Sequence, residues 1–374
     1  VLAPYLLPGE RALVKARPAK TGLLRGDVIN LIEPSPHRVD PGCPYFQRCG
    51  GCHYQHASYQ AQLYGKVEIL RDSLTRIGRV EPPDEIRVIA AQPWRYRNRI
   101  QLHFDGDRFG FHAAGSHRLV AIGGCPVASP RLNEAIAALN RMARSRRFPS
   151  FLRSLELFTN ESEVQLNVLD SGMRRLARGF FQWCAESLPG ATEPALDYKA
   201  AGETFRVSHK SFFQVNRYLV DSLVDAVCSE LTGRRALDLY AGVGLFALPL
   251  ARRFEQVKAV EASNSAVADL TYNASRAGLR IEVHRAATEA WLAGETAPPN
   301  VCIADPPRSG LGSKVVEQLL RLRPERLVVV SCDPATLARD LQGLCAAYSI
   351  ERMAMADLFP QTSHIETIAH LMLR

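Results

Sequence analysis

The stretch Arg235-Ala236-Leu237-Asp238-Leu239-Tyr240-Ala241-Gly242-Val243-Gly244 carries the reading of the fold. An apolar run ends in a glycine-rich turn and passes into an apolar segment from Leu245, the pattern of a strand feeding a helix. Glycines there let a ligand approach the backbone, and the helix N-terminus offers free N–H groups. Further short apolar runs follow at Gln256–Glu261, Ile281–His284, Val301–Asp305 and Leu327–Cys332, with helical stretches between them. This alternation predicts an α/β fold, with a Rossmann-like, doubly wound and mostly parallel sheet over residues 201–374. Ile350–Met355 and Thr367–Leu373 are expected to close it as a hairpin-like edge.

Ligands of such sheets bind at the carboxyl ends of the strands. Asp305, in Asp305-Pro306-Pro307-Arg308, and Cys332, in Ser331-Cys332-Asp333-Pro334, both end strands and are expected to face one crevice. A lone cysteine is most simply a small buried apolar residue; the neighbours distinguish this one. Glu261, at the end of its strand, is suited to accept hydrogen bonds from two ribose hydroxyls, although a residue beside a helix cap is the plainer alternative. The turn has Gly-x-Gly without the third glycine of a pyrophosphate site, and Asp238 sets an anion near it. Both features disfavour a dinucleotide and suit a cationic ligand such as S-adenosylmethionine.

A thiolate beside a methyl donor suggests covalent activation of uracil: sulfur adds to carbon 6, carbon 5 becomes nucleophilic, and a base later removes its proton. Cys332 is the expected nucleophile, partly ionised in a field to which Arg308 contributes. Glu366, in Phe359-Pro360-Gln361-Thr362-Ser363-His364-Ile365-Glu366, is the candidate base and His364 its rival; a surface turn would explain the same residues without chemistry.

The first half of the chain has a different character. Residues 1–200 hold 27 Lys and Arg against 19 Asp and Glu, whereas residues 201–374 hold 19 of each, so the net +8 lies wholly in the first half. A basic half joined to a neutral one suggests a polyanion, most simply nucleic acid. Trp94-Arg95-Tyr96-Arg97-Asn98-Arg99 would put three arginines on one face of a strand, with rings able to stack on bases, and Arg141–Arg147 adds four more. A solvated edge strand guarded by charge is the alternative. A helix is predicted over Tyr59–Ile77, another near Leu132–Arg144, and paired strands at Arg153–Phe158 and Glu163–Val168. Nine cysteines, an odd number, argue against a disulfide framework and for a reducing cytoplasm. Cys43, Cys49 and Cys52 cluster around Gly50-Gly51, with a fourth thiol at Cys125 before Pro126. Four thiolates suit a [4Fe–4S] cluster or zinc; the lone distant fourth ligand and the Cys-Pro step favour iron–sulfur. No apolar stretch reaches membrane-spanning length, and no signal peptide is read.

Together these motifs resemble the S-adenosylmethionine-dependent RNA uracil-5-methyltransferases, from about Pro8 to the end of the chain. The residues carrying the resemblance are the three clustered cysteines, Trp94–Arg99, Phe212-Phe213-Gln214-Val215-Asn216, Asp238–Gly244, Asp305–Arg308, Ser331–Pro334 and Phe359–Glu366. The resemblance implies a class I methyltransferase domain at 201–374, a central β-rich RNA-binding domain with an iron–sulfur site at 36–200, and at 1–35 a partial OB-like barrel, the TRAM domain, without its opening strands. It implies that Gln214, Tyr240, Glu261 and Asp305 bind S-adenosylmethionine, that Cys332 and Glu366 are nucleophile and base, and that Cys43, Cys49, Cys52 and Cys125 hold a [4Fe–4S] cluster. The cluster and barrel are similar to the branch acting on 23S rRNA; a tRNA T-loop enzyme or a non-catalytic RNA-binding protein is the alternative. A monomer working in the cytoplasm is expected. Ala241 stands where the family often has Cys, Leu245 where Asn is frequent, and Ala286-Ala287 where Gly-Asp is common.

Overall fold

The computed structural model describes residues 2–18, 22–188, 190–191 and 193–374. Strands β1 (Arg11–Pro18) and β2 (Leu24–Glu33) form a two-stranded antiparallel sheet. Of the partial barrel expected over 1–35, the described residues form this open two-stranded ribbon. Two strands cannot close on themselves, and Leu13, Ile29 and Ile32 of this ribbon stay exposed. Residues 1 and 19–21 of that expectation, and 189 and 192 of the central segment, lie outside the described residues.

Helix α1 (Tyr59–Ser73) starts where the Ser58 hydroxyl accepts from the Ala61 N–H, and widens into a π-helical turn at Leu74–Gly78. Strand β3 (Ile86–Ile89) follows. Next come β4 (Arg99–Phe104), β5 (Phe109–His112), β6 (Leu119–Ala121), α2 (Pro130–Ala143), β7 (Ser154–Thr159), β8 (Val164–Asp170) and α3 (Arg178–Ser187). Their strands form an antiparallel sheet in the order β6-β5-β4-β7-β8. Leu132, Ile136 and Leu139, at helical spacing on α2, pack with Leu102, Phe109, Leu155 and Leu157 of that sheet.

The hairpin β9 (Ala195–Ala200) and β10 (Glu203–Ser208) joins the two halves. Beyond it run α4 (Val220–Cys228), β11 (Arg235–Leu239), α5 (Ala247–Ala251), β12 (Gln256–Glu261), α6 (Asn264–Arg276), β13 (Glu282–Arg285), α7 (Thr288–Gly294), β14 (Val301–Ala304), α8 (Gly312–Leu322), β15 (Arg326–Ser331), α9 (Pro334–Leu344), β16 (Tyr348–Ala356) and β17 (Glu366–Leu373). The sheet has eight strands in the order β13-β12-β11-β14-β15-β17-β16-β3. The first five are parallel; β17 runs antiparallel to both of its neighbours, and β3 is parallel to β16. The doubly wound sheet is as the alternation predicted. The last two strands are not an edge, however: β17 is inserted beside β15, and β16 is covered by β3.

Both faces of this sheet are buried. Val301, Ile303, Val328 and Val330 join one core with Leu223 and Leu248, while Cys302, Ala304, Leu327 and Val329 join the other with Leu70, Leu319 and Leu341. Side chains alternate between faces, so a strand covered on both sides reads as an unbroken apolar run. Two expected boundaries shift as a result. Helix α1 and strand β3, assigned to the central domain by position, belong to the methyltransferase sheet and its core, and the boundary at 201 falls inside the β9–β10 hairpin. Among the described residues no helix is long and apolar enough to cross a membrane.

Candidate active site

Strand register brings the predicted residues to one edge. Leu239 of β11 pairs with Ala304 of β14, and Ala304 with Val329 of β15, so Tyr240, Asp305 and Cys332 all emerge at the carboxyl side. Val260 pairs with Leu239 on the other flank, which adds Glu261. Antiparallel pairing of Ser331 with Thr367 then sets Glu366, the first residue of β17, beside Cys332, the residue after β15. The edge spans the β11/β14 junction, where strand order reverses and open sheets bind ligands. A cavity of about 850 Å³ opens at the opposite end, lined by the strand starts Arg235, Gln256 and Glu282, away from these residues.

The turn after β11 takes backbone conformations that favour glycine. Tyr240 has φ +62° and Gly244 φ +96°. A Cβ on Gly244 would lie 2.6 Å from Leu248 Cδ1. The Gly242 N–H donates to Glu261 Oε2 at 2.9 Å and the Ser263 N–H to Oε1 at 2.7 Å, so Glu261 ties the turn to β12 while retaining lone pairs for a ligand. Helix α9 begins directly after Cys332 because Pro334 is at its first turn and the Asp333 carboxylate accepts from the Ala335 and Thr336 N–H groups. Asp340 of α9 accepts from Leu311 and Gly312 N–H at 2.7 and 3.3 Å, fastening the loop that carries Arg308. Arg308 Nη2 lies 3.4 Å from His364 Nε2.

The edge is crowded with carboxyl groups. Burial, with Asp305 nearby, raises Asp238 and Glu366 well above the carboxylate range, although Arg308 pulls Glu366 back. Asp305 keeps some contact with solvent, yet burial still raises it to about 7. Neither Asp238 oxygen has a hydrogen-bond partner among the described residues. The electropositive surroundings expected for Cys332 are not what the protein's own groups supply: burial and then Glu366 push the thiol up to about 11, against the pull of Arg308. His364 is pushed down to about 4 by burial and by Arg308, so it is neutral near pH 7.

The loop leading to Glu366 is clamped by the first half of the chain, which sequence reading missed. Gln62 Nε2 donates to Gln361 Oε1, and the Gln361 N–H donates to Gln62 Oε1, both at 3.0 Å. Lys66 Nζ donates to Asp357 Oδ1 at 2.6 Å and to the Phe359 carbonyl at 3.0 Å, and both side chains of that ion pair are fully buried. The Tyr96 hydroxyl donates to the Pro360 carbonyl, and the His53 and Tyr54 N–H groups donate to the Gln361 carbonyl. The available signal was a lysine three residues after Leu63 and four before Leu70, on the apolar face of α1. Gln214 arrives from a separate buried segment: the Asn98 side chain donates to its carbonyl, and Asn216 donates to the Leu358 carbonyl.

The row of arginines expected along Trp94–Arg99 is not formed. Only Arg99 enters a strand, and Arg95 has φ +55°. Arg99 is turned inward, its guanidinium 4.3 Å from the Phe158 ring centroid and donating to the Ser211 carbonyl. Its Nε is buried without a hydrogen-bond partner among the described residues, a cost offset in part by the Phe158 ring, the Ser211 carbonyl and the Glu156 carboxylate 3.8 Å away. Cys43, Cys49, Cys52 and Cys125 do come together, lining one cavity of about 230 Å³ with Arg97, His103 and His112. Among the described residues no three His, Cys, Asp or Glu side chains converge closely enough to ligate one metal ion. Tetrahedral zinc requires such convergence. A four-iron cluster takes one thiolate per iron, so its cysteines stand apart around a cavity.

The sequence model of the tRNA (Uracil-5-)-methyltransferase family matches residues 194–293 and 298–374. An RNA methyltransferase of Nostoc sp. is 34% identical over 420 residues, covering 100% of this chain and 91% of that protein. The chain belongs to the S-adenosylmethionine-dependent RNA uracil-5-methyltransferase family. A Halomonas elongata relative, the 23S rRNA (uracil(1939)-C(5))-methyltransferase RlmD, is also 34% identical, over 97% of this chain and 82% of its own length. The crystal structure of Pyrococcus abyssi tRNA (uracil-54, C5)-methyltransferase with S-adenosyl-L-homocysteine superimposes with a TM-score of 0.77 at 26% identity, over 99% of this chain and 95% of that one. The likeness runs over nearly the whole chain, and the eight-stranded sheet has the class I methyltransferase fold.

Proposed function

We propose that this enzyme methylates carbon 5 of a uridine in 23S rRNA through a covalent adduct with Cys332. The observation that carries the reading is the Ser331–Thr367 pairing, which sets a thiol and a carboxyl group side by side at the ligand edge of the sheet. Tyr240, Glu261, Asp305 and, from its own segment, Gln214 are the cofactor-binding residues of this proposal. The sulfonium and ammonium of S-adenosylmethionine would answer the surplus carboxyl charge and draw the Cys332 thiol down from about 11. The thiolate forms a bond to carbon 6, and the ring electrons move onto carbon 5 and oxygen 4. Carbon 5 takes the methyl group, and the carbon–sulfur bond to the donor breaks. Glu366 accepts the carbon 5 proton, the 5,6 double bond returns, and the thiolate leaves. Glu366 is favoured over His364 because its raised value leaves a carboxylate basic enough to take that proton, whereas His364 is held near 4.

RNA containing 5-fluorouridine at the modification site blocks the last step, since no proton remains on carbon 5. A covalent complex through Cys332 is expected on denaturing gels, and Cys332→Ala should form none and lose methyl transfer by about a thousandfold or more. An active enzyme that gives no such adduct would refute the mechanism. The 23S assignment is supported by the Halomonas elongata relative; the Pyrococcus abyssi structure favours tRNA as a second reading. Methylation assays on the two transcripts separate them. Cys43, Cys49, Cys52 and Cys125 would hold a [4Fe–4S] cluster that cross-links residues 43–52 to Cys125; anaerobic protein should contain iron and sulfide, lost in Cys49→Ser.

A further inference from the structure

We infer that the end of the five-stranded domain remote from the cysteines is a second RNA-docking surface that grips phosphates rather than bases. The inference rests on the RNA substrate proposed above and adds where the RNA must extend. Helix α2 gives the scale. Near its start, Asn133 accepts from the Cys125 N–H and donates to the Cys125 carbonyl, so that end is fixed at the cysteine cavity. The helix has 14 residues, so its far end lies about 20 Å away at 1.5 Å per residue.

Arg141, Arg144, Arg146 and Arg147 gather at that far end, and Arg174, Arg175 and Arg178 come from the approach to α3. Packing makes the two groups one surface. Phe148 contacts the rings of Phe180 and Trp183, with centroids 5.6 and 6.2 Å apart. Arg147 lies 5.1 Å from the Trp183 centroid and Arg174 5.4 Å from that of Phe151. All seven arginines are exposed.

Two observations separate this surface from an ordinary solvated face. Segments 141–151 and 171–183 contain no Asp or Glu, and none of the seven arginines makes an ion pair among the described residues, whereas nearby Arg131 and Arg153 pair with Glu134 and Asp170. The helix dipole is no substitute for the missing acids. It favours Arg141 and Arg144 at the end of α2, but Arg178 is the first residue of α3, where a cation is disfavoured. Seven like charges kept together without an ion pair, one of them at the disfavoured start of a helix, suit a polyanion. Guanidinium groups resting on rings are partly ordered before binding and direct their donors outward, as phosphate contacts require.

The test replaces Arg144, Arg147, Arg174 and Arg178 with Ala in the full chain and measures binding and methylation of transcribed 23S rRNA from low to moderate KCl. Each lost phosphate contact should reduce the slope of log K against log salt by about 0.7–0.9, so a fall of about 2–4 is expected. KM for the transcript should rise about tenfold or more near 0.15 M salt with kcat within twofold, while a short fragment spanning the methylated uridine should show little change. Single Arg144→Ala and Arg178→Ala variants, each checked by thermal melting, stand in if the quadruple variant does not fold. Unchanged slope and KM in a folded variant overturn the surface alone. Loss of binding to phosphatidylglycerol vesicles with an unchanged RNA slope assigns it to a membrane and overturns it as well. A wild-type chain that neither binds nor methylates RNA overturns both this surface and the proposed function.

Discussion

The ligand edge of the eight-stranded sheet crowds Asp238, Asp305 and Glu366 together with Arg308 as the neighbouring cation, whereas the far end of the five-stranded domain exposes seven arginines, none of them ion-paired among the described residues. The two surpluses are handled differently because one is buried and the other wet. Inside the ligand-free enzyme, where an unpaired charge costs several kcal/mol, the carboxyl groups hold on to their protons; the cationic cofactor would release them, leaving Glu366 the carboxylate that the proposed mechanism needs. Outside, arginines stay charged and water screens them at small cost. Each region is thereby left complementary to a ligand of opposite sign, a cation at the sheet and a polyanion at the domain end.

The largest expected effect lies at the buried surplus. Glu366→Gln keeps the shape of the site but removes the proton acceptor, so turnover should fall by about 10²–10⁴-fold while a methylated adduct accumulates on ordinary RNA. Product release at the wild-type rate, followed by single-turnover gels, would move the base elsewhere and leave Glu366 as mere carboxyl surplus. The next effect sharpens the contrast through Asp357, a nearby carboxylate that does have its own buried cation. Lys66→Met strands Asp357 in the core and should cost about 3–5 kcal/mol in denaturant unfolding, with kcat falling more than KM as the Glu366 loop loosens. Lys66→Met with Asp357→Leu should recover most of the stability; a single variant as stable as wild type would mean that the pair is unimportant.

The smallest effect is on pH dependence. Asp305 is raised to about 7, so between about pH 4 and 7 the folded chain keeps a proton that the unfolded chain has released. Stability of the ligand-free enzyme should therefore fall as pH rises through that window, by on the order of 1–2 kcal/mol because Asp305 retains some contact with water. Asp305→Asn should flatten this part of the profile in urea titrations. A wild-type profile that rises over the same range would contradict the picture of a buried acidic surplus.

Much of the site was legible because its signals are local. Strand ends at Asp305 and Cys332 follow from apolar runs stopped by proline, and the Tyr240–Gly244 turn follows from its glycines. The misreadings are equally physical. Trp94–Arg99 alternates as a strand would, yet Arg99 found a buried ring and a carbonyl, which no spacing announces. The electropositive pocket expected for Cys332 failed because folding buries the thiol and brings to it Glu366 of β17 and Asp305 from the end of β14, far apart in the chain.

The chain's order of residues determined by itself the parallel strands, the turn after β11, the Asp333 cap that starts α9 just after Cys332, and the basic first half, since each depends on neighbours a few positions away. Only the tertiary structure decided that β17 is inserted between β15 and β16, that α1 and β3 join the far sheet, and that Gln62 and Lys66 hold the loop before Glu366. An interior strand and an edge strand can present the same apolar pattern, and a lysine on a helix face does not reveal its carboxylate. Those choices are made by pairings between residues hundreds of positions apart, which exist only once the chain has folded.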